Sequence, residues 1–369
     1  MSLSKTQSAL ISVLACMFTT AVHAQSSVTL FGMLDVGLSF VSNVQGGRAL
    51  AANDSVFTPS LIGLRGAEDL GSGYKAVFEL ESQFAVENGT AIPGPGMDFS
   101  REASVGIEKA NVGTLSFGQQ YNLLYDFLFA PPAQFDATFQ YGGLYNMRQG
   151  PFAALGIPQN ATGAMDLDQM AGTTQVSNSV KFSSTSFDGL TFGALYGFSD
   201  SDSFSSNNTV GFGADYLRGN FGVGAAYNET RYAALGDGKS GIRNFGAGVH
   251  QRIGGLYLSG LYTNTENTLS GATVQALQAG AMVSFSPSLQ LGANYQYWRG
   301  NAALEHNHAQ QLTSALQYSL SPRTLVYLEA AYQWTGGDVA GDDDAWINGV
   351  GQSNSTRQAI AQLGIHTSF

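Results

Sequence analysis

Charge is the scarcest property of this chain. Only 12% of its 369 residues are Asp, Glu, Lys or Arg, against about a quarter in ordinary soluble domains. A soluble fold built from it would struggle to cover its own surface. Proline is rare as well, at 9 residues, and Cys16 is the single cysteine. Cys16 falls within the first 24 residues, so residues 25–369 carry neither a disulfide nor thiol chemistry. Beyond residue 24 there is no uncharged apolar run of about 18 residues, which excludes a transmembrane helix. Basic runs are missing too, and at a net charge of −11 no nucleic-acid partner is expected.

What is present is apolar and aromatic. Hydrophobic residues make up 44%, aromatic residues 11%, and glycine numbers 46. Residues 1–24 read as a secretory signal peptide: Lys5 supplies the basic start, 9–22 the apolar stretch, and Val22-His23-Ala24 the cleavage site before Gln25. A weak lipobox-like run, Val13-Leu14-Ala15-Cys16, offers a lipoprotein as the alternative. Few charges, many apolar groups and no spanning helix leave one membrane architecture, a closed β-barrel, because open strand edges stay unsatisfied in hydrocarbon.

The alternation supports this. In 27–42, Val28, Leu30, Leu34, Val36, Leu38 and Phe40 share one parity, and Thr29, Asp35 and Ser39 the other. In 74–84, Tyr74, Ala76, Phe78 and Leu80 alternate with Lys75, Glu79, Glu81 and Gln83. The same reading predicts strands at 58–68, 101–109, 114–120, 178–186, 190–199, 209–217, 221–232, 242–253, 256–266, 273–285, 289–299, 308–320, 324–334 and 357–369. That makes sixteen antiparallel strands in an all-β transmembrane barrel, with loops expected at 43–56 and 85–99. Short turns alternate with longer loops, as between the periplasmic and external ends of an outer-membrane barrel. Aromatic rings near strand ends (Tyr74, Tyr121, Tyr196, Tyr232, Tyr262, Tyr297, Trp298, Tyr332, Trp334) suit the two interfacial girdles. Alternation alone also fits a soluble β-sandwich or solenoid. The signal peptide, the charge depletion and the apolar strand ending at Phe369 count against both.

Residues 121–175 break the rhythm. Loops of such length are uncommon in compact domains, and nine aromatic rings argue against disorder. An ordered insert in a strand-only chain needs a surface to pack on, and the barrel lumen supplies one. Residues 25–369 are therefore expected to form one barrel, with 121–175 folded inward as a constriction loop.

Several stretches resemble a known family. Residues 64–76 (LRGAEDLGSGYKA), the opening Ser27-Val28-Thr29-Leu30-Phe31-Gly32, the run 113–121 (GTLSFGQQY), Asn178-Ser179-Val180-Lys181-Phe182 and the terminal Phe369 are similar, in this order, to Gram-negative general-diffusion porins, especially their β-proteobacterial branch. The resemblance implies a homotrimer in outer-membrane lipid, with the third loop forming an eyelet. It also implies insertion by the barrel-assembly machinery through the strand ending at Phe369. Members of that branch are often anion-preferring. Two departures weaken the basic wall: Gln119 stands where the family usually has Arg, and Glu102 follows Arg101 where a basic or amide residue is common.

Function is expected in the inward charges, which set ion selectivity in a wet lumen. Strand parity assigns Asp35, Glu68, Glu79, Glu81, Glu102, Glu108, Asp215 and Glu329 inward, against the bases Arg65, Lys75, Lys181 and Arg252. The insert adds Asp126, Asp136, Asp166 and Asp168 and one base, Arg148. Arg65 is the expected eyelet base, facing insert acids. Catalysis finds no support, because none of His250, His306, His308 and His366 lies in a nucleophile motif. His306 and His308 lack further metal ligands, and Asp342-Asp343-Asp344 reads as a solvated acidic loop rather than a spaced cation site. GxG pairs such as Gly211-Phe212-Gly213 lack the strand-to-helix context of phosphate loops. The reading is a passive channel for small hydrophilic solutes and ions, weakly cation-preferring, with no cofactor. A substrate-specific channel with an aromatic eyelet of Tyr121, Tyr125, Tyr141 and Tyr145 is one alternative, and a structural or adhesive scaffold is another.

Overall fold

The computed structural model describes residues 27–54, 57–92, 98–135, 150–158, 175–199, 205–339, 343–347 and 349–369. The signal segment 1–24, Asp136, Tyr141, Tyr145, Arg148, Asp166, Asp168 and Asp342 lie outside the described residues.

Strand follows strand, each antiparallel to its neighbour. The first is Ser27–Val44; the second comes in two pieces, Gly47–Asp54 and Leu61–Gly71, both paired with the first. Tyr74–Phe84 is third, and the fourth is again split, into Ala91–Ile92 and Glu102–Lys109, both paired with the third. Gly113–Tyr121, Gln175–Ser184, Leu190–Gly197, Thr209–Arg218, Phe221–Arg231 and Gly241–Ile253 follow. Leu256–Asn267, Thr273–Ser284, Leu289–Gly300, His308–Ser319, Thr324–Gly336 and Arg357–Ser368 complete the wall. The last strand pairs with the first from Met33↔Ser368 to Val41↔Ile360, closing the sheet into a sixteen-position barrel.

The two faces have inverted polarity. Leu38 and Leu363 oppose each other across the closing seam, both outward and both 63% exposed. Inward positions are instead polar: Gln311, Gln333, Gln358 and Gln362 are all fully buried. A protein with apolar side chains outside and amides inside is built for a surrounding solvent that is itself apolar.

Three expectations need correction. The 43–56 stretch is not all loop. Gly47–Asp54 extends the second strand, which the sequence hides because Ala-Leu-Ala-Ala does not alternate. Residues 57–60 turn inward, putting Phe57 on Tyr327 with ring centroids 5.0 Å apart and Ser60 Oγ 3.0 Å from the Asp35 backbone N–H it accepts. Glu68 does not face the lumen. It is three residues from Arg65 and pairs with Ala76, on the outward parity of Leu64 and Phe78. Among the girdle aromatics, Trp298 is fully buried on the inward parity beside outward Tyr297, and Tyr232 is buried as well.

Candidate functional site

The insert begins at the end of Gly113–Tyr121, where Asn122 accepts the Tyr125 backbone N–H through its side chain (3.0 Å) and starts a short helical turn, Tyr125–Phe129. Leu123, Leu124, Phe127, Leu128, Phe129, Ala133 and Phe135 are buried in one cluster with Val176, Leu195, Ala226 and Leu261 of the wall. Glycines make this close approach possible. A Cβ on Gly213 would lie 2.6 Å from Phe127 and one on Gly246 2.9 Å from Leu128, while one on Gly248 would collide with Phe135. These positions share the inward parity of their strands, so the insert's first stretch lies against the inside of the wall. Polar ties fix it: His250 Nδ1 is 2.8 Å from the Ala133 carbonyl, and the Tyr257 hydroxyl donates to Gln134 O at 2.7 Å. The later stretch, 150–158, rests on another sector. Phe152 and Leu155 pack with Val274, Ala276, Trp298 and Ala309, Asn307 donates to Pro151 O at 2.9 Å, and Gly150 N–H donates to Trp346 O at 3.0 Å.

Where the insert leaves the wall, charges gather. Glu81 opposes Glu102 in register and Glu79 opposes Arg65. Arg101, which the sequence reading passed over as a neighbour of Glu102, organises the group. Its Nε donates to the Tyr121 hydroxyl at 2.8 Å and its Nη1 to Gln83 Oε1 at 2.6 Å, and the Tyr121 hydroxyl donates on to Glu81 Oε2 at 3.1 Å. The Tyr121 backbone N–H donates to Glu102 Oε2 at 3.4 Å. Tyr121 therefore turns inward instead of joining a girdle, and its ring stacks on Tyr125 at 4.2 Å. Lys181 Nζ is 2.9 Å from Asp126 Oδ2 and donates to Tyr121 O at 3.1 Å. Burial pushes the Asp126 carboxyl up from its ordinary value, and Lys181 pulls it back.

Arg65, Lys75, Glu79, Glu81, Glu102 and Lys181 thus share the lumen wall, with Asp126 brought onto it. Lys75 stands apart at the short-turn end, 3.6 Å from Glu108. Among the described residues the base paired with an insert acid is Lys181, on Asp126; Arg65 lies over the Phe31 ring at 5.1 Å, and the insert acids Asp136, Asp166 and Asp168 lie outside the described residues. Gln119 falls on the outward parity of Leu115 and Phe117, opposite Ala103, where it bonds Ser100 O and Ser177. Its difference from Arg therefore leaves the lumen charge unchanged. Inward Asp35 and Glu329 are both fully buried, so neither meets solute directly. In the acidic loop, burial and neighbouring Asp343 push the Asp344 carboxyl up. Among the described residues no three His, Cys, Asp or Glu side chains group as metal ligands.

Comparison with known proteins adds to this geometry. Residues 9–338 match the family described as Gram-negative porin. The chain is 31% identical over 260 residues to an outer membrane porin protein of Bordetella pertussis, covering 63% of this chain and 62% of that one. It is 26% identical over 322 residues to outer membrane porin protein 32 of Delftia acidovorans, covering 85% of each. Among solved structures, the anion-selective porin from Comamonas acidovorans superposes with a TM-score of 0.74 over 94% of this chain and 100% of that one, at 22% identity.

Proposed function

This chain belongs to the Gram-negative porin family, and from that premise we propose that it is a passive outer-membrane channel for small hydrophilic solutes and ions, with a weak preference for cations. Porins are channels rather than enzymes, so no reaction or cofactor enters the account. The driving force is the solute gradient, and the protein contributes the width and charge of a wet hole. The insert 121–175 serves as the constriction loop. The cluster at its start carries the selectivity reading: Glu79, Glu81, Glu102 and Asp126 stand against Arg65, Arg101 and Lys181. Two of those bases are already engaged, Arg101 through Tyr121 and Lys181 by Asp126. A small surplus of carboxylate on a low-dielectric wall biases which ion enters. That sign is opposite to the property named for the Comamonas porin, whose 22% identity supports a shared fold and no more.

Zero-current potential across a planar bilayer in a KCl gradient is the test. A cation-selective sign at low salt is expected, fading toward 1 M, where the Debye length is about 3 Å; an anion-selective sign at low salt overturns it. Assembly as a homotrimer, export on a cleaved signal peptide 1–24, and recognition of the Phe369 strand by the barrel-assembly machinery belong to the same proposal. An unheated detergent-gel band at monomer mass counts against the trimer.

A further inference from the structure

A cleft of about 360 Å³ opens at the long-loop end, and among the described residues none that carries the selectivity reading lines it. Pro151 and Ala153 reach it from the insert, Ala303 and Leu304 from the turn after Leu289–Gly300, and Asp344 and Trp346 from the segment before the last strand. The three segments are fastened to one another and to the wall. Gly150 N–H donates to Trp346 O at 3.0 Å, and Asn307 Nδ2 to Pro151 O at 2.9 Å. Inward Gln333 and Gln358 accept the Trp346 and Ile347 backbone N–H groups at 2.6 and 2.7 Å. Ile347 is buried on Val41, Ala331 and Ile360, all of inward parity. The cleft therefore sits on the lumen side of the mouth, on rigid supports.

Its lining divides by chemistry. Pro151, Ala153, Ala303 and Leu304 give it an apolar side, and Trp346 adds an aromatic one. Glu305 and Asp344 are the charged groups that line it among the described residues, and neither carboxylate has a hydrogen bond or ion pair within the protein. Other carboxylates along this rim meet a base: Glu229 is 3.0 Å from Arg231 Nε, Asp338 is 2.7 Å from His306 Nδ1, and Glu266 pairs with Arg243. Asp344 is also half-buried, so water hydrates only part of its charge. Two carboxylates without a base, beside hydrocarbon and an indole, match a cation that carries hydrocarbon of its own. A bare metal ion would leave the apolar side unused, and a neutral apolar solute would leave the acids unpaired.

We propose that this cleft binds organic ammonium ions, with the cationic head at Glu305 and Asp344 and the hydrocarbon body against Trp346, Pro151 and Ala153. Such a site collects amines at the channel mouth, ahead of the constriction. It goes beyond the ion preference proposed above, because a small inorganic cation gains nothing from the apolar side.

Tryptophan fluorescence of the folded protein in detergent at low salt, titrated with cyclohexylammonium chloride, tests this. Trp346→Phe supplies the background from Trp298 and Trp334. Parallel titrations use methylammonium, cyclohexanol and Mg²⁺. Cyclohexylammonium should saturate the Trp346 signal, and each of the other three should bind more weakly. Glu305→Gln and Asp344→Asn should each weaken cyclohexylammonium binding about fourfold, the upper range for one partly exposed ion pair, and the double variant should lose more than either. Asp188→Asn at the opposite rim should bind as wild type does; an equal loss there means general attraction to a negative protein and overturns the site. Unchanged binding in both acid variants overturns it as well. Cyclohexanol binding as tightly as cyclohexylammonium overturns the ammonium as the recognised group, and methylammonium or Mg²⁺ binding as tightly overturns the hydrocarbon part. Those comparisons use wild type alone, so they hold even where a variant fails to fold. Binding is read at equilibrium without a bilayer. An anion-selective zero-current potential would therefore overturn the channel's ion preference and leave this result standing.

Discussion

Lys181 and Asp126 form an ion pair that joins insert to wall, with side chains 12% and 26% exposed. Removing one partner leaves the other largely desolvated. For fully buried pairs that costs about 3–5 kcal/mol, and the partial exposure here lowers it to roughly 2 kcal/mol. Lys181→Met should therefore loosen the start of the insert, seen as faster proteolysis within 121–175 and noisier single-channel current. Adding Asp126→Asn should recover part of the loss; if both single variants and the double behave alike, the pair is not an anchor. Arg65 and Glu102 bear on selectivity instead. Arg65→Gln should strengthen cation preference and Glu102→Gln weaken it, each read as a shift of zero-current potential at low salt. The Arg65 effect should fade sooner on adding KCl because its side chain is exposed. Most of this was legible in the sequence, because a period of two fixes which side chains meet the lumen. Glu68 could have been placed by the same count, being an odd number of residues from Arg65. The role of Arg101 was not legible. It precedes its strand, and its partners Gln83, Glu81 and Tyr121 come together only when the third and fifth strands flank the fourth.

At the scale of elements, the insert and the wall are matched by absence of side chain. Gly213, Gly246 and Gly248 leave room for Phe127, Leu128 and Phe135. The sequence showed glycine-rich strands and a long aromatic insert but not that one fills the other, since that pairing spans about a hundred residues and has no local signature. Gly248→Val places two further carbons beyond a Cβ position that already collides with Phe135. Overpacking of this kind costs about 1–3 kcal/mol, and Phe135, carried on a turn rather than on a strand paired on both sides, is the side that yields. Larger conductance with the barrel still heat-modifiable on gels is the expected outcome. Unchanged conductance would mean that this stretch of insert does not limit the pore. The same logic explains Trp298. Read from its strand-end position it belongs to a girdle, yet it faces inward and supports Phe152, with ring centroids 6.0 Å apart.

For the whole molecule the decisive event is closure, since any open edge in hydrocarbon leaves a row of backbone groups unsatisfied. The chain ends on that seam. Phe369 N–H donates to Gly32 O at 3.0 Å, Gly32 N–H donates back to Phe369 O at 3.3 Å, and the Phe369 ring occupies the space where a Cβ on Gly32 would stand. The terminal aromatic therefore has a role in closing the barrel, on its outward face, separate from any recognition by assembly machinery, and the two roles predict different outcomes. Deleting Phe369 removes the ring and two seam hydrogen bonds, whereas Phe369→Ala removes the ring alone. If the seam is what matters, refolding from urea into detergent, with no machinery present, should give less heat-modifiable barrel for the deletion than for Phe369→Ala, and both should fall below wild type. Gly32→Val should mimic Phe369→Ala by displacing the ring from the other side. Full refolding of all three in detergent, with loss of insertion only in cells, would instead place the importance of Phe369 in the encounter with the assembly machinery and leave barrel closure to the nine register pairs from Met33↔Ser368 to Val41↔Ile360.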